Sequence, residues 1–354
     1  MSTTRSAASA DVRTAREHLV RGAEQRIHRL LAAEVAKWSS LGHGSTDLVA
    51  AVQRMMDAGG KRLRPAFCVA GYLAAGGDPE RADEIVDAAA AVELLHVFAL
   101  IHDDVLDNSP VRRGVETIHV TYGREHQDRG LTGDPRRYGE GVAILAGDLS
   151  HAYADGLAAR LPAAAREVWA ELRAEMIVGQ FMDVRAAAES LMDTGLARWI
   201  AVCKSGHYTI HRPLALGAAV AGRTDLDELF RRYGTWVGEA FQLRDDLIDL
   251  TGDSAVTGKP TGQDTAGYKM TLLLTLAAER DHRVRDLVRR PGRDRPAAAD
   301  LHTLLRESGV AVQVEHLIGE LVGKASALLH DAPLPPPWRA ELIEMAHHVA
   351  YRDR

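Results

Sequence analysis

The stretch ELLHVFALIHDDVLDNSPVRRG, residues 93–114, decides how this chain is read. An apolar helical run ends in three carboxylates, Asp103, Asp104 and Asp107, and the helix stop NSP (108–110) follows at once. Positions i and i+4 share a helix face, so Asp103 and Asp107 project together with Asp104 beside them. Acids at a helix C-terminus meet the negative end of the macrodipole and repel one another, which is costly unless cations neutralise them. Mg²⁺ suits the cluster because it takes a few carboxylates together with phosphate oxygens and water. Arg112 and Arg113 follow within one short turn, and arginine binds phosphate in bidentate fashion. A single DDxxD is equally well a solvated acidic helix end, so the rest of the chain has to decide.

The same grammar recurs in GEAFQLRDDLIDLTGD, residues 238–253, where Asp245, Asp246 and Asp249 follow Gln242 by one turn. Two such clusters, each closing a long apolar helix, supply six carboxylates, enough for a small group of Mg²⁺ ions on one diphosphate. A separate basic element lies in GGKRLRP, residues 59–65, with Lys61, Arg62 and Arg64 after a flexible Gly-Gly and at the start of a helix. Free N–H groups and cations together make an anion site there. No GxxxxGK[ST] motif is present, so nucleotide hydrolysis loses support. Lys204, Lys259 and Lys269 are further cations, although a lone lysine is ordinarily just solvated. Metal-bound and metal-free anion binding thus come as separate elements, which points to two diphosphate substrates.

Composition agrees with an enzyme built of helices. The 354 residues are 46% hydrophobic and 26% charged with only 5% aromatics, and the formal charge of -6 argues against a nucleic-acid partner. Cys68 and Cys203 have no metal-like spacing, and a reducing cytoplasm is expected. Residues 1–10 lack the apolar core of a secretory signal and are expected to be disordered, with one all-helical domain over 11–354. The longest apolar run, around Ala88–Ile101, is too short for a transmembrane segment. Helical periodicity predicts helices near 11–39, 45–57, 62–76, 81–107, 114–127, 139–160, 162–187, 192–204, 207–222, 225–252, 266–288, 300–330 and 335–350, with no convincing strand. RRPGRDRP (289–296) reads as a solvated loop.

In this order, GGKRLRP, ELLHVFALIHDDVLD, RRG, AILAGD, GQFMD, FQLRDDLID and GKPTGQD resemble the trans-isoprenyl diphosphate synthases of the polyprenyl synthetase family, over about residues 45–330. The resemblance is greatest to geranylgeranyl diphosphate synthases. It implies an all-α fold of long helices around a central cavity, assembled as a homodimer, that joins isopentenyl diphosphate to an allylic diphosphate. It implies that Asp103, Asp104, Asp107, Asp245, Asp246 and Asp249 bind Mg²⁺, three ions per active site, on the allylic diphosphate. Arg112, Lys204 and Lys269 would touch that diphosphate, with Gln242 and Lys259 completing its pocket. Lys61, Arg64, His96 and Arg113 would hold isopentenyl diphosphate, and Gln180 and Asp183 would support the site. His102, beside Asp103, is expected to pack rather than act as a base.

Chain length follows from the first aspartate helix if the growing tail runs along it. Counting back from Asp103, Ala99 and Phe98 lie one turn away, and Leu95 and Leu94 come next. Five residues of helix span about 7.5 Å, one to two isoprene units. In the resembling family, uninserted DDxxD enzymes of farnesyl length carry aromatics at both of the nearer positions, and a single aromatic at the Phe98 position goes with geranylgeranyl diphosphate. A twenty-carbon product is therefore expected, with farnesyl diphosphate second; a class I terpene cyclase and a non-catalytic partner subunit are the rival readings. One departure stands out in CKSGHYTIHRPLALG (203–217): Ser205 replaces the family's threonine, and His207, Tyr208, His211 and Arg212 are bulkier than usual.

Overall fold

The computed structural model describes residues 2–252, 262–289 and 298–352, the side chains of residues 2–10 excepted. It is all-α, as expected. The helices are α1 (Ser2–Trp38), α2 (Asp47–Asp57), α3 (Leu63–Ala74), α4 (Asp83–Leu106), α5 (Ile118–Asp128), α6 (Pro135–Ala158), α7 (Ala163–Glu189) and α8 (Thr194–Ala201). They continue with α9 (Arg212–Val220), α10 (Asp227–Thr251), α11 (Gln263–Ala266), α12 (Leu272–Arg280), α13 (His282–Val288), α14 (Ala298–Glu307), α15 (Val310–His330) and α16 (Pro336–Ala350). A π-helical stretch, Val202–His211, joins α8 to α9.

The central helix is α4. Ala88, Ala89, Ala90 and Ala91 are fully buried, and such small side chains let α6, α3 and α1 pack closely around it. It has 24 residues, so by length and composition it could cross a membrane, longer than the apolar run suggests. Its apolar window is 78% buried inside the protein, which is the pattern of a core helix. Two hydrophobic cores meet on α10. Phe230, Tyr233, Val237 and Phe241 belong to the core of the N-terminal helices, while Leu243, Leu247 and Leu250 belong to that of α12–α15. The second aspartate cluster therefore sits on a helix anchored from both sides.

Local chemistry explains where the elements differ from expectation. Helix α1 starts at Ser2, so residues 2–10 of the segment expected to be disordered are helical; alanine and serine there permit it. Helix α6 begins at Pro135 rather than 139, because Asp134 caps it through the Arg137 N–H and proline fits the first helical position. The break expected at 205–206 is absent: the chain runs on as the π-helical stretch. Gly206 there lies against Gly238 of α10, where a Cβ on Gly238 would come within 1.9 Å of the Gly206 Cα. Glycine at both positions is what allows these helices to touch. The helix expected over 300–330 is interrupted at Gly309 (φ 73°), and that over 266–288 divides at Asp281, whose side chain accepts the Arg283 N–H. The only strands among the described residues, β1 (Val111–Arg112) and β2 (Val115–Glu116), form a hairpin where the sequence suggested the start of a helix. Lys259 and residues 290–296 of the arginine-rich turn lie outside the described residues.

Candidate active site

The hairpin exists to aim two arginines. In the register Val111↔Glu116 and Arg112↔Val115, the two-residue turn is Arg113–Gly114, both with positive φ (52° and 78°), as a tight hairpin requires. Arg112 is thereby folded back onto the end of α4, its Nε 2.5 Å from Asp104 Oδ1 and its terminal nitrogen 3.5 Å from Asp103 Oδ2. Arg113 turns the other way and donates to the Gly59 carbonyl. Gly59 and Gly60 both take positive φ (88° and 145°), which is what the glycine pair supplies, and a Cβ on Gly60 would stand 2.9 Å from that guanidinium.

The three aspartates of the first cluster are not equivalent. Asp104 is 1% exposed, and burial pushes its carboxyl up to about 6 despite Arg112. Burial also opposes ionisation of Asp103, but Lys204, Lys269 and Arg112 together hold it below its ordinary value. Gln180 donates to Asp103 at 3.1 Å, Lys204 lies 3.8 Å from it and 2.6 Å from Asp183, and Lys269 donates to Asp107 at 2.6 Å. Lys269 follows the second cluster in sequence, so this contact brings the two halves of the chain to face one another.

On α10, Gln242 donates to Asp246 at 2.8 Å and accepts from the Ser205 hydroxyl. The serine that replaces the family's threonine therefore orients Gln242. Asp249 accepts the backbone N–H groups of Gln263 (3.0 Å) and Asp264 (3.1 Å), fastening α11 beneath it. Asp245 is ion-paired with Arg352 from the chain's end, whose guanidinium also lies 4.1 Å from the centre of the Phe241 ring. Asp246 is raised well above its ordinary value by burial and by Asp264. Asp264 itself is pushed up to about 6 by burial, against the pull of Lys269. For Lys204 and Lys269 burial works against the charge, but Asp183 and Asp103 hold the first above its ordinary value and Asp264 and Asp107 the second.

These residues fit Mg²⁺. Asp104 Oδ2 and Asp246 Oδ2 are buried with no hydrogen-bond partner, so each cluster keeps an unused hard oxygen donor beside its more exposed aspartates. No three His, Cys, Asp or Glu side chains converge as a metal cage among the described residues. Mg²⁺ ordinarily takes a few carboxylates and completes its shell with substrate phosphate and water.

The basic element divides in use. Arg62 (φ 50°) is committed to structure, at 2.7 Å from both Glu24 and Glu93. Arg64 lies over the Tyr208 ring at 4.3 Å, and its Nε is buried without a partner. His96 and Arg113 close the same region, and burial followed by Arg64, Arg113 and Arg112 pushes the imidazole well below its usual range.

Of the chain-length residues, Leu95 is fully buried in the core and Ala99 is partly buried. Phe98 is wedged between rings, 4.9 Å from His151 of α6 in a stacked arrangement and 4.5 Å from His102. His102 in turn stands 3.1 Å from the Ile144 carbonyl, in keeping with a packing role. Sequence reading missed His151, Arg352 and the weight of Asp264. Asp264 closes the motif GKPTGQD, but nothing local marks the other two.

The profile of the polyprenyl synthetase family matches residues 45–307. The chain belongs to the polyprenyl synthetase family. The recognition from GGKRLRP and the paired DDxxD motifs as a trans-isoprenyl diphosphate synthase therefore stands. This polyprenyl synthetase is 35% identical over 230 residues to the short chain isoprenyl diphosphate synthase of Methanocaldococcus jannaschii, covering 63% of this chain and 64% of that one. It is 30% identical over 322 residues, 89% of each chain, to the nonaprenyl diphosphate synthase of Mycobacterium tuberculosis. The geranylgeranyl pyrophosphate synthase of Corynebacterium glutamicum, solved with isoprenyl diphosphate and magnesium, superposes with TM-score 0.86 at 34% identity, over 95% of this chain and 99% of that one.

Proposed function

We propose that this polyprenyl synthetase condenses isopentenyl diphosphate with an allylic diphosphate, with Mg²⁺ on the allylic side, in the cytoplasm that its two free cysteines suit. The observation that carries the reading is the contact of Lys269 with Asp107 and of Lys204 with Asp103 and Asp183. Lys269, which follows the second acidic motif in sequence and lines one pocket with Asp246 and Asp249, pairs with the first motif, beside a metal-free basic pocket. Asp103, Asp104, Asp107, Asp245, Asp246 and Asp249 would hold the metal. Bound Mg²⁺ would neutralise the diphosphate and stabilise the charge on the departing pyrophosphate.

The side chains do the rest. Arg112, Lys204 and Lys269 surround the position where negative charge grows as the allylic C–O bond breaks, which is preorganised electrostatic stabilisation. Lys61, Arg64, His96 and Arg113 hold isopentenyl diphosphate by its own charge, so its double bond can attack the allylic carbon. A C–C bond forms and a proton leaves to the released pyrophosphate; no side chain is needed as nucleophile. Phe98, with His151 behind it, is read as the obstacle that stops the tail at twenty carbons, with fifteen carbons the second reading because Leu95 and partner helices also shape that end.

A homodimer is part of the proposal. Ile177, Val178, Phe181 and Val184 of α7 are about half exposed or more, an apolar stripe that a second copy would cover. Incubation with labelled isopentenyl diphosphate and an allylic primer tests the reaction. Elongated diphosphates are expected; a cyclised hydrocarbon would make the chain a terpene cyclase, and no turnover would make it a partner subunit.

A further inference from the structure

Tyr208 stands where the sequence departs from the family pattern, and it is 5% exposed. It lies four residues after Lys204 in the π-helical stretch, a form that recurs at functional sites. Lys204 reaches Asp183 and Asp103, while Tyr208 enters the basic pocket between Arg64 and His96. The Arg64 guanidinium lies over the face of the Tyr208 ring, 4.3 Å from its centre. On the other side, His96 Nδ1 is 3.2 Å from the same hydroxyl.

The Tyr208 hydroxyl carries one proton and accepting lone pairs, so it can give to His96 Nδ1 or accept from an Nδ1–H. Burial and the neighbouring Arg64, Arg113, Arg112 and Arg62 push the imidazole well below its usual range, which favours the ring with a single proton. With that proton on Nδ1, the ring would donate to Tyr208 and leave a bare Nε2. With it on Nε2, Tyr208 donates to Nδ1 and an N–H is left for a ligand.

We propose that Tyr208 is a positioning residue of the isopentenyl diphosphate pocket: with its ring held beneath Arg64, its hydroxyl donates to His96 Nδ1 and fixes the Nε2–H tautomer, so that the imidazole presents a donor to the diphosphate. The alternative tautomer would set a nitrogen lone pair against an anionic oxygen. Tyr208 and His96 thus give the pocket a donor with no charge for burial to oppose. This inference rests on the reading of Lys61, Arg64, His96 and Arg113 as the isopentenyl diphosphate site.

The test uses the full-length protein and Tyr208→Phe, which keeps the ring beneath Arg64 and removes only the hydroxyl. Nitrogen-15 NMR of labelled histidines, with the His96 signals assigned by their loss in His96→Asn, should show a protonated Nε2 and a bare Nδ1. Tyr208→Phe should move His96 toward a mixture of tautomers. The variant should also raise the KM for isopentenyl diphosphate about fivefold to tenfold, the effect of one neutral hydrogen bond, and leave the allylic KM unchanged. An unchanged tautomer, or equal rises in both KM values, overturns the proposal. Arg64→Ala separates the two levels: if it raises the isopentenyl diphosphate KM selectively and Tyr208→Phe does not, the relay fails. If Arg64→Ala is itself unselective, the pocket assignment fails with it.

Discussion

Asp103 and Asp104 are adjacent in sequence, yet truncating each to alanine should do different damage. Asp103 reaches Gln180, Arg112 and Lys204 at 3.1–3.8 Å and its side chain is 23% exposed. Without it Lys204 keeps Asp183 and Arg112 keeps Asp104, so no cation is stranded. Asp103→Ala should therefore change stability by less than about 1 kcal/mol, the ordinary scale of a partly solvated pair. Turnover should fall about 10²–10³-fold, the cost of removing one preorganised electrostatic group. Asp104 is buried against the Arg112 Nε at 2.5 Å, and breaking a buried pair from one side strands the other charge, at a cost of about 3 kcal/mol. At about 2 °C per kcal/mol for a chain of this size, Asp104→Ala should melt about 6 °C lower and Asp103→Ala within about 2 °C of the parent. Differential scanning calorimetry reads the stability, and incorporation of labelled isopentenyl diphosphate at saturating Mg²⁺ reads the activity. Near-parental turnover in Asp103→Ala would refute the metal assignment. Equal melting temperatures in the two variants would refute the division of labour between the adjacent carboxylates.

Arg64→Ala removes a charged donor and should raise the KM for isopentenyl diphosphate at least about tenfold more than that for the primer; steady-state kinetics with each substrate varied in turn checks this. Phe98→Ala should lengthen the products and Ala99→Phe shorten them toward fifteen carbons, read by chromatography after dephosphorylation; unchanged lengths in both would place the floor elsewhere. Phe181→Glu should put a charge in the exposed apolar stripe and give monomers by light scattering, whereas an unshifted mass would remove that face from the interface. Burial works against ionisation of Glu175, but its bonds to Arg212 and His207 depress it to about 2. A depressed acid stabilises the fold above its unfolded pKa of 4.5 and loses that contribution as pH falls toward 2, so denaturant midpoints should drop across that window. Glu175→Gln should remove about 1–3 kcal/mol at neutral pH and flatten the dependence; an unaltered profile would show the pair to be inert.

Much of this was legible in the order of residues, for reasons of short-range geometry. Helical period, the i and i+4 projection of paired carboxylates and the position of cations beside a glycine pair are local properties, and they led to an all-α fold and to both aspartate clusters. The hairpin at 111–116 was missed because its two-residue strands are too short to show alternation. The π-helical continuity through Ser205 and Gly206 was missed because it depends on Gly238, which lies on another helix. The sequence also treats Asp103 and Asp104 as equals, and Arg62 and Arg64 likewise. Tertiary packing separates them, burying Asp104 against Arg112 and committing Arg62 to Glu24 and Glu93. Tyr208 reads from the chain only as a departure, and its place between Arg64 and His96 appears when α3, α4 and the π-helical stretch converge. What a residue is determines which bonds it can make; which of them it makes depends on neighbours far away in the chain, and only the folded arrangement decides that.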